Sequence, residues 1–144
     1  MKVDQTTAST LYPITPAELK LHLRLDSGSF DENIDESQSL APDEYIVAAN
    51  YTTHVGDPVD VLGKTAVVVL DAGATSGTGA TTVKIQECDT LAGTYTDWET
   101  FTAVTTANHN AIQEKPYTGT KQYIKVVAKV ENEVCSFGVS VIRL

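Results

Sequence analysis

The sequence predicts a mainly β protein, an antiparallel sandwich or barrel that follows an N-terminal arm. From Tyr45 onwards, short runs rich in β-branched and aromatic residues alternate with Gly, Asp and Asn turn residues. The connections between these runs are too short to contain crossover helices, so we expect antiparallel pairing. Residues 1–44 lack this pattern. The chain is therefore divided into an arm, residues 1–44, and a β-domain, residues 45–144.

About seven strands are predicted in the β-domain. Their bounds are Tyr45–Thr53, Val59–Leu62, Thr65–Asp71, Thr81–Cys88, Tyr95–Val104, Lys121–Val130 and Val134–Ile142. Apolar residues and lysines alternate in the sixth run, which is typical of a strand with one buried face. Only three residues separate the last two runs, so we expect these runs to form a hairpin. The Gly/Thr/Ser-rich segment 72–82 is expected to be a hairpin loop.

Two aromatic residues of the fifth run have opposite parity. Trp98 and Phe101 would point to opposite faces of a regular strand. A bulge between them, or burial of both faces, would resolve this conflict. We expect Trp98 to anchor the core rather than to bind a ligand.

The N-terminal arm carries signals for one short helix. Thr15, Pro16 and Glu18 supply an N-cap, a first-turn proline and a capping-box glutamate. Residues 17–25 then provide helix formers, although their leucines recur with the period of a strand. We predict a short helix that ends near residues 26–29. An acidic loop or extended segment should follow it as far as Pro42.

The net charge of −9 is concentrated in the first part of the chain. Residues 1–60 hold 11 acidic and 3 basic side chains, a balance of −8, and residues 61–144 hold 8 and 7, a balance of −1. Seven carboxylates and no lysine or arginine lie between Asp26 and Glu44. Such a surface repels phosphate groups, which argues against a nucleic-acid partner. The carboxylates are either simply solvated or bind a basic groove of a partner protein.

No residue pattern indicates catalysis. The tripeptide at Gly63 resembles the end of a phosphate-binding loop, but Pro58 occupies the position of the required first glycine and a β-run follows. The three histidines and two cysteines lack metal-ligand spacing, and no nucleophile elbow is present. We expect no enzyme activity, metal or cofactor, although a calcium site using Asp89, Asp97 or Glu99 stays open.

Two further expectations concern the cysteines and the cellular location. Cys88 and Cys135 are too few for a disulfide scaffold, so two free thiols are predicted. No secretory signal is recognised at Met1–Pro13, and no apolar run is long enough to span a membrane. We therefore expect a protein made in the cytoplasm that has no membrane partner.

The β-domain resembles a family of phage proteins. Residues 82–98 (TVKIQECDTLAGTYTDW) and 117–142 (YTGTKQYIKVVAKVENEVCSFGVSVI) are similar to small β-sandwich proteins encoded among the head genes of tailed bacteriophages. These proteins act as capsid decoration, head-fibre or other auxiliary virion proteins. The resemblance covers roughly residues 58–144, and the strand pattern is also similar to fibronectin type III and other immunoglobulin-like domains. It implies an immunoglobulin-like sandwich.

A second, shorter resemblance involves residues 14–34 (ITPAELKLHLRLDSGSFDENI), which are similar to the opening of the helical head–tail connector proteins of tailed phages. Connectors continue into long helices, whereas this chain continues into an acidic segment with Pro42. The connector fold is therefore not expected, but both resemblances imply a phage virion.

These resemblances imply a non-enzymatic structural protein that decorates or cements the capsid exterior through its arm. The expected location is the capsid surface of a virion assembled in the host cytoplasm. The expected partner is the major capsid protein, with a homotrimer or another homo-oligomer left open. The candidate contact residues are Leu11, Tyr12, Ile14, Leu19, Leu21, Leu23, Leu25, Asp31, Glu32, Asp35 and Glu36.

Two alternatives stay open. The first is a head–tail adaptor or tail-completion protein at the portal vertex. The second is a carbohydrate- or receptor-binding module, whose candidate aromatic residues are Tyr95, Tyr117 and Tyr123.

Overall fold

A computed structural model of the protein describes residues 35–144. The chain divides into two units, residues 1–33 and 34–144, and the described residues belong to the second. They form a mainly β, antiparallel structure with ten strands and no helix. The strands are β1 (Asp35–Tyr45), β2 (His54–Val55), β3 (Val59–Asp60), β4 (Ala66–Thr75), β5 (Ala80–Cys88), β6 (Thr96–Thr100), β7 (Val104–Thr105), β8 (Ala111–Tyr117), β9 (Tyr123–Glu131) and β10 (Cys135–Arg143).

The strands form two sheets. The four-stranded sheet has the order β1-β10-β4-β8. The six-stranded sheet has the order β2-β9-β5-β6, with β3 also paired to β9 and β7 to β5. Every pairing between named strands is antiparallel, as the short connections predict.

One hydrophobic core lies between the two sheets. Along β4 the side chains of Val68 and Leu70 are fully buried, and from the other sheet Ile85 and Ile124 meet them in the same cluster. The alternation of buried and less buried positions along these strands follows from the pleat, which directs successive side chains to opposite faces. Each sheet therefore has one buried inner face and one outer face towards solvent.

The predicted boundary at residue 45 is wrong for the described part of the arm. Residues 35–44 belong to β1, which pairs along β10 from Asp35 to Tyr45. The predicted strand Tyr45–Thr53 is also wrong, because residues 46–53 are irregular apart from a single bridge at Ala48. β1 is polar and has two register shifts, so it shows no apolar alternation that could reveal a strand.

A second strand was missed by the sequence pattern. β8 (Ala111–Tyr117) pairs with β4 at the edge of the four-stranded sheet and contains Pro116. Proline weakens the signal for a strand, but an edge position tolerates it. The count of about seven strands is therefore corrected to ten within residues 35–144. The predicted helix lies outside these residues.

The two predicted hairpins are connections between the sheets. β9 lies in the six-stranded sheet and β10 in the other one, so residues 132–134 cross from sheet to sheet. Residues 76–79 cross in the same way between β4 and β5. The two crossings are adjacent, since Ser76 Oγ donates a hydrogen bond to Glu133 Oε2 at 2.7 Å. Sequence proximity predicted pairing, whereas the strands on either side of each connection bury their apolar faces from opposite sheets.

The fifth run contains a bulge, but it lies at Trp98 and not between Trp98 and Phe101 as predicted. Ile85 pairs with Glu99 and the next residue, Gln86, pairs with Asp97, so Trp98 is left unpaired between them. Trp98 is partly buried and packs against the core, while Phe101 is buried within it. The extra residue changes the side-chain parity, which allows both aromatic residues to pack inward.

One side chain links the two sheets at each lateral edge. On one edge, Ser39 of β1 reaches the six-stranded sheet, where its Oγ donates to the Asp57 carbonyl at 2.8 Å and accepts from the Val126 N–H at 3.2 Å. On the other edge, Gln113 of β8 forms two hydrogen bonds with the Thr102 backbone, at 3.0 and 2.9 Å. Both side chains satisfy backbone groups that an unpaired edge would leave open.

Candidate functional site

Most of the predicted contact residues lie outside residues 35–144. These residues are Leu11, Tyr12, Ile14, Leu19, Leu21, Leu23, Leu25, Asp31 and Glu32. The structure describes the other two at the start of β1, where Asp35 pairs with Arg143 and Glu36 with Ile142. Glu36 is exposed. It therefore belongs to the outer face of the four-stranded sheet rather than to a free arm.

The outer face of this sheet is acidic. Four carboxylates lie on it, namely Glu36, Glu44, Asp71 and Glu114, and we call this surface the acidic face. The strand register places them there, because each pairs directly with an outward-facing residue of the neighbouring strand. None of these four side chains is in an ion pair with a described residue.

The centre of the acidic face is partly apolar. Val67, Val69 and Ile142 are half-buried there, and β10 contributes only small residues between them, such as Ser140. Two adjoining depressions of about 250 and 230 Å³ lie between β1 and β4, and Ser136 lines both. The surface thus combines an apolar centre with charged groups around it, an arrangement common in protein interfaces.

The outer face of the six-stranded sheet has the opposite character. Lys84, Lys125 and Lys129 project from its two central strands. Tyr51 lies 4.5 Å from Lys84 Nζ, measured to the ring centroid, and Tyr95 lies 4.2 Å from Lys125 Nζ. We call these five residues the lysine–tyrosine face. Its aromatic rings contribute cation–π contacts that hold the lysine side chains near the sheet.

Two carboxylates partly neutralise the lysine–tyrosine face. Asp97 Oδ2 lies 2.6 Å from Lys84 Nζ, and Gln86 donates a hydrogen bond to Asp97 Oδ1 at 2.8 Å. These bonds lower the pKa of Asp97, with the Gln86 contribution the larger. Glu131 pairs with Lys129 at 2.9 Å. Lys125 has no carboxylate partner within residues 35–144, so its charge is available to a partner molecule.

The three candidate aromatic residues do not form one surface. Tyr117 is tied to the end of the sandwich, where its hydroxyl donates to Glu87 Oε2 at 2.8 Å and its ring meets Trp98 edge-on at 4.9 Å between centroids. Burial and the Glu87 bond raise the pKa of Tyr117 to about 12. Tyr95 packs against Lys125, and Tyr123 pairs across the sheet with Cys88. Tyr117 is therefore a structural residue in this arrangement.

The predicted calcium ligands are each directed at a lysine. Asp89 pairs with Lys121 at 2.6 Å, Asp97 with Lys84, and Glu99 lies 3.8 Å from Lys115. Among the described residues, no group of three or more His, Cys, Asp or Glu side chains is arranged to hold a metal ion.

The two thiols are free and buried. Cys135 Sγ lies 2.9 Å from Thr75 Oγ1, and a Cβ added at Gly79 would lie 3.3 Å from the same sulfur. Cys88 ends β5, nine residues after Gly79, which is roughly 30 Å along an extended strand. A bridge between the two cysteines is excluded by this separation.

The glycine that precedes β4 lies in a turn. Gly63 has a φ of 69°, and the N–H of Lys64 donates to the Val61 carbonyl at 3.1 Å. A β-strand follows, as the sequence predicted. The backbone here closes a turn and is not arranged as a phosphate-binding loop.

No protein-family model, curated protein or solved structure matches the chain. Within residues 35–144, no helix has the length and hydrophobicity needed to cross a membrane.

Sequence reasoning found part of this site. The alternation in β9 placed Lys125 and Lys129 together on an outward face, and the acidic composition identified Glu36. It missed Asp71 and Glu114, because their shared face depends on pairing between β4 and β8.

Proposed function

We propose that the protein is a non-enzymatic structural component of a tailed-phage virion that binds the capsid exterior as a decoration or cement protein. The β-domain is the rigid body in this proposal, and residues 1–34 with the start of β1 supply the contact with the major capsid protein. The phage resemblance of residues 58–144 is one support. The second support is an immunoglobulin-like relationship, which we also propose.

The support for an immunoglobulin-like relationship is the arrangement of four strands. β4 pairs with β8 in one sheet and β5 with β9 in the other, and the β4–β5 and β8–β9 connections cross between the sheets. Strands B, E, C and F of an immunoglobulin domain have this arrangement. The last strand departs from it, because β10 lies between β1 and β4 instead of beside β9.

The observation that carries the proposed role is a side-chain link between the two sheets at each lateral edge. Copies packed on a capsid are at high local concentration, and open β edges would pair with one another under those conditions. Ser39 and Gln113 satisfy backbone groups at the two edges instead. The outer faces of the two sheets and the N-terminal residues then remain for contacts, which suits a protein that binds a repeated lattice with weak individual contacts.

The proposal is tested by locating and counting the chain in particles of the phage that encodes it. A decoration protein should be present in hundreds of copies on the capsid exterior. About a dozen copies at the portal vertex would instead support the adaptor alternative. Absence from the particle would overturn the proposal.

The contact residues are tested by capsid binding of a chain that lacks residues 1–34. The structure sets this boundary, since a longer deletion would remove β1 and the buried Leu40. We expect the truncated protein to fold and to lose most of its capsid affinity. Full affinity would contradict the proposed role of the arm. In the full chain, serine at Leu21 and Leu23 can be compared with serine at the exposed Leu62 and Leu91 of the β-domain.

A further inference from the structure

The two outer faces of the sandwich are complementary in charge. The acidic face carries four carboxylates, and none of the described lysine or arginine side chains lies on it. The lysine–tyrosine face carries three lysines against two carboxylates, Asp97 and Glu131. Like faces would repel each other, whereas the acidic face of one copy attracts the lysine–tyrosine face of another.

The charges on the two faces also have a common spacing. Asp71 and Glu114 are diagonal neighbours on β4 and β8, since Asp71 pairs with Ile112 and Glu114 with Val69. Lys84 is diagonal to both Lys125 and Lys129, because it pairs with Val127 between them. Diagonal neighbours on a sheet lie about 7–8 Å apart. The carboxylate pair can therefore meet a lysine pair of similar separation.

The apolar groups support the same contact. Val67, Val69 and Ile142 are only half-buried at the centre of the acidic face. Val55, which is 44% exposed, and the rings of Tyr51 and Tyr95 lie on the opposite face. Stacking one face on the other would remove these apolar surfaces from water together.

We propose that copies of this chain associate face to back, with the acidic face of one copy on the lysine–tyrosine face of the next. Because the two faces lie on opposite sides of the sandwich, the contact is heterologous and can repeat along a stack of copies. Four strands about 4.8 Å apart and roughly seven residues long give a contact of about 450 Å² per partner. This is below the usual size of a stable interface, so the association is weak and depends on concentration.

The contact goes beyond the proposed virion role and does not depend on it. It is measured with the purified full-length protein alone, without capsids. A failure of face-to-back association would leave capsid binding unaffected, and a failure of capsid binding would leave the solution result unaffected.

The test is sedimentation equilibrium over a wide concentration range, at low and at high salt. We expect weak association in low salt, with at least a tenfold loss of affinity in high salt because the paired charges are exposed. Two variants each change the charge of one face. Asp71→Lys with Glu114→Lys neutralises the acidic face, and Lys125→Glu with Lys129→Glu makes the lysine–tyrosine face acidic. Each variant alone should associate at least tenfold more weakly, because the first loses the net negative charge of its acidic face and the second carries a net negative charge on both faces.

Mixing the two variants should restore association, since the unaltered acidic face of the lysine variant then meets the unaltered lysine–tyrosine face of the acidic-face variant. A matched control, Asp57→Lys with Asp89→Lys, makes the same change in net charge as the acidic-face variant, at exposed loop positions that belong to neither face as defined above. It should associate at least as well as the unmodified protein. Restoration in the mixture, together with association of the control, supports the proposal.

Three results would overturn the proposal. The first is a monomer at every concentration in low salt. The second is association that neither face variant weakens. The third is loss of association in the lysine variant but not in the acidic-face variant, which would indicate that the lysines bind another acidic part of the chain.

Discussion

Ser39 and Val126 join the two sheets at one lateral edge, although 87 residues separate them in sequence. The Val126 N–H donates to Ser39 Oγ at 3.2 Å, and Ser39 Oγ donates in turn to the Asp57 carbonyl at 2.8 Å. β2 and β3 pair with β9 on either side of this point, so Ser39 fills the gap between two very short strands. The serine side chain therefore provides the donor and the acceptor that a neighbouring strand would otherwise provide.

Removing this hydroxyl should destabilise the domain. Ser39→Ala leaves the buried Val126 N–H without its acceptor, a loss of about 1–3 kcal/mol in the free energy of unfolding. Urea denaturation followed by tryptophan fluorescence measures it. Ser140→Ala, on an outward position of β10, is the control and should change stability by less than about 0.5 kcal/mol. Equal stabilities of the two variants would contradict this role for Ser39.

A methyl group at Gly56 should be more damaging than one at Gly63. A Cβ at Gly56 would lie 2.5 Å from the Ser39 carbonyl oxygen, so backbone would have to move at the same lateral edge. We expect Gly56→Ala to cost about 1–3 kcal/mol or more. A Cβ at Gly63 would meet nothing within 4 Å, and only its φ of 69° opposes alanine, at about 1 kcal/mol. A lower thermal midpoint for Gly63→Ala than for Gly56→Ala would contradict this close contact.

One core threonine should be better replaced by valine. Thr81 is almost fully buried, and its Oγ1 has no hydrogen-bond partner among the described residues. Thr81→Val keeps the shape and removes a desolvated hydroxyl, so stability should rise by about 1 kcal/mol. Thr75→Val is the matched control, because Thr75 Oγ1 contacts Cys135 Sγ and its removal should destabilise the domain. Chemical denaturation of both variants measures these changes. The prediction is contradicted if Thr81→Val is less stable than Thr75→Val.

Stability should fall at alkaline pH through Tyr117. The pKa of this residue is about 12 in the folded state, raised by burial and by the hydrogen bond to Glu87, whereas an unfolded tyrosine titrates near 10. The unfolded chain therefore loses this proton first, so the stabilising contribution is complete below about pH 10 and is lost as pH rises towards 12. Ultraviolet titration should show a tyrosine that ionises near pH 12. Tyr117→Phe should remove this step, and an unchanged titration curve would contradict the assignment.

The two thiols should stay reduced and react slowly. Both are buried. Cys88 ends β5, whereas Cys135 begins β10 and lies beside Gly79, just before the start of β5. A thiol reagent added to the folded protein should modify neither cysteine rapidly, whereas the urea-unfolded protein should react at both. Mild oxidation followed by intact-mass measurement should show no loss of two hydrogens. An intramolecular disulfide in the folded protein would be incompatible with the strand arrangement.

Much of the β-domain could be predicted from the sequence. The runs that became β4, β5, β9 and β10 each have an apolar inner face, and their pattern alone identified them to within a few residues. Lys125 and Lys129 were placed on one outward face by the same alternation. These features depend on local periodicity, which the pleat of a single strand imposes.

Only the tertiary structure decided how the strands pair. β1 and β8 have weak patterns because they are edge strands, each stabilised by one neighbour and by side chains that reach the other sheet. The β9–β10 connection was predicted as a hairpin, but the two strands bury their apolar faces from opposite sheets. The acidic face exists only because β1, β4 and β8 are brought together across the four-stranded sheet. Periodicity within a strand thus determined which residues point inward, whereas contacts between residues far apart in sequence determined which outward residues share a surface.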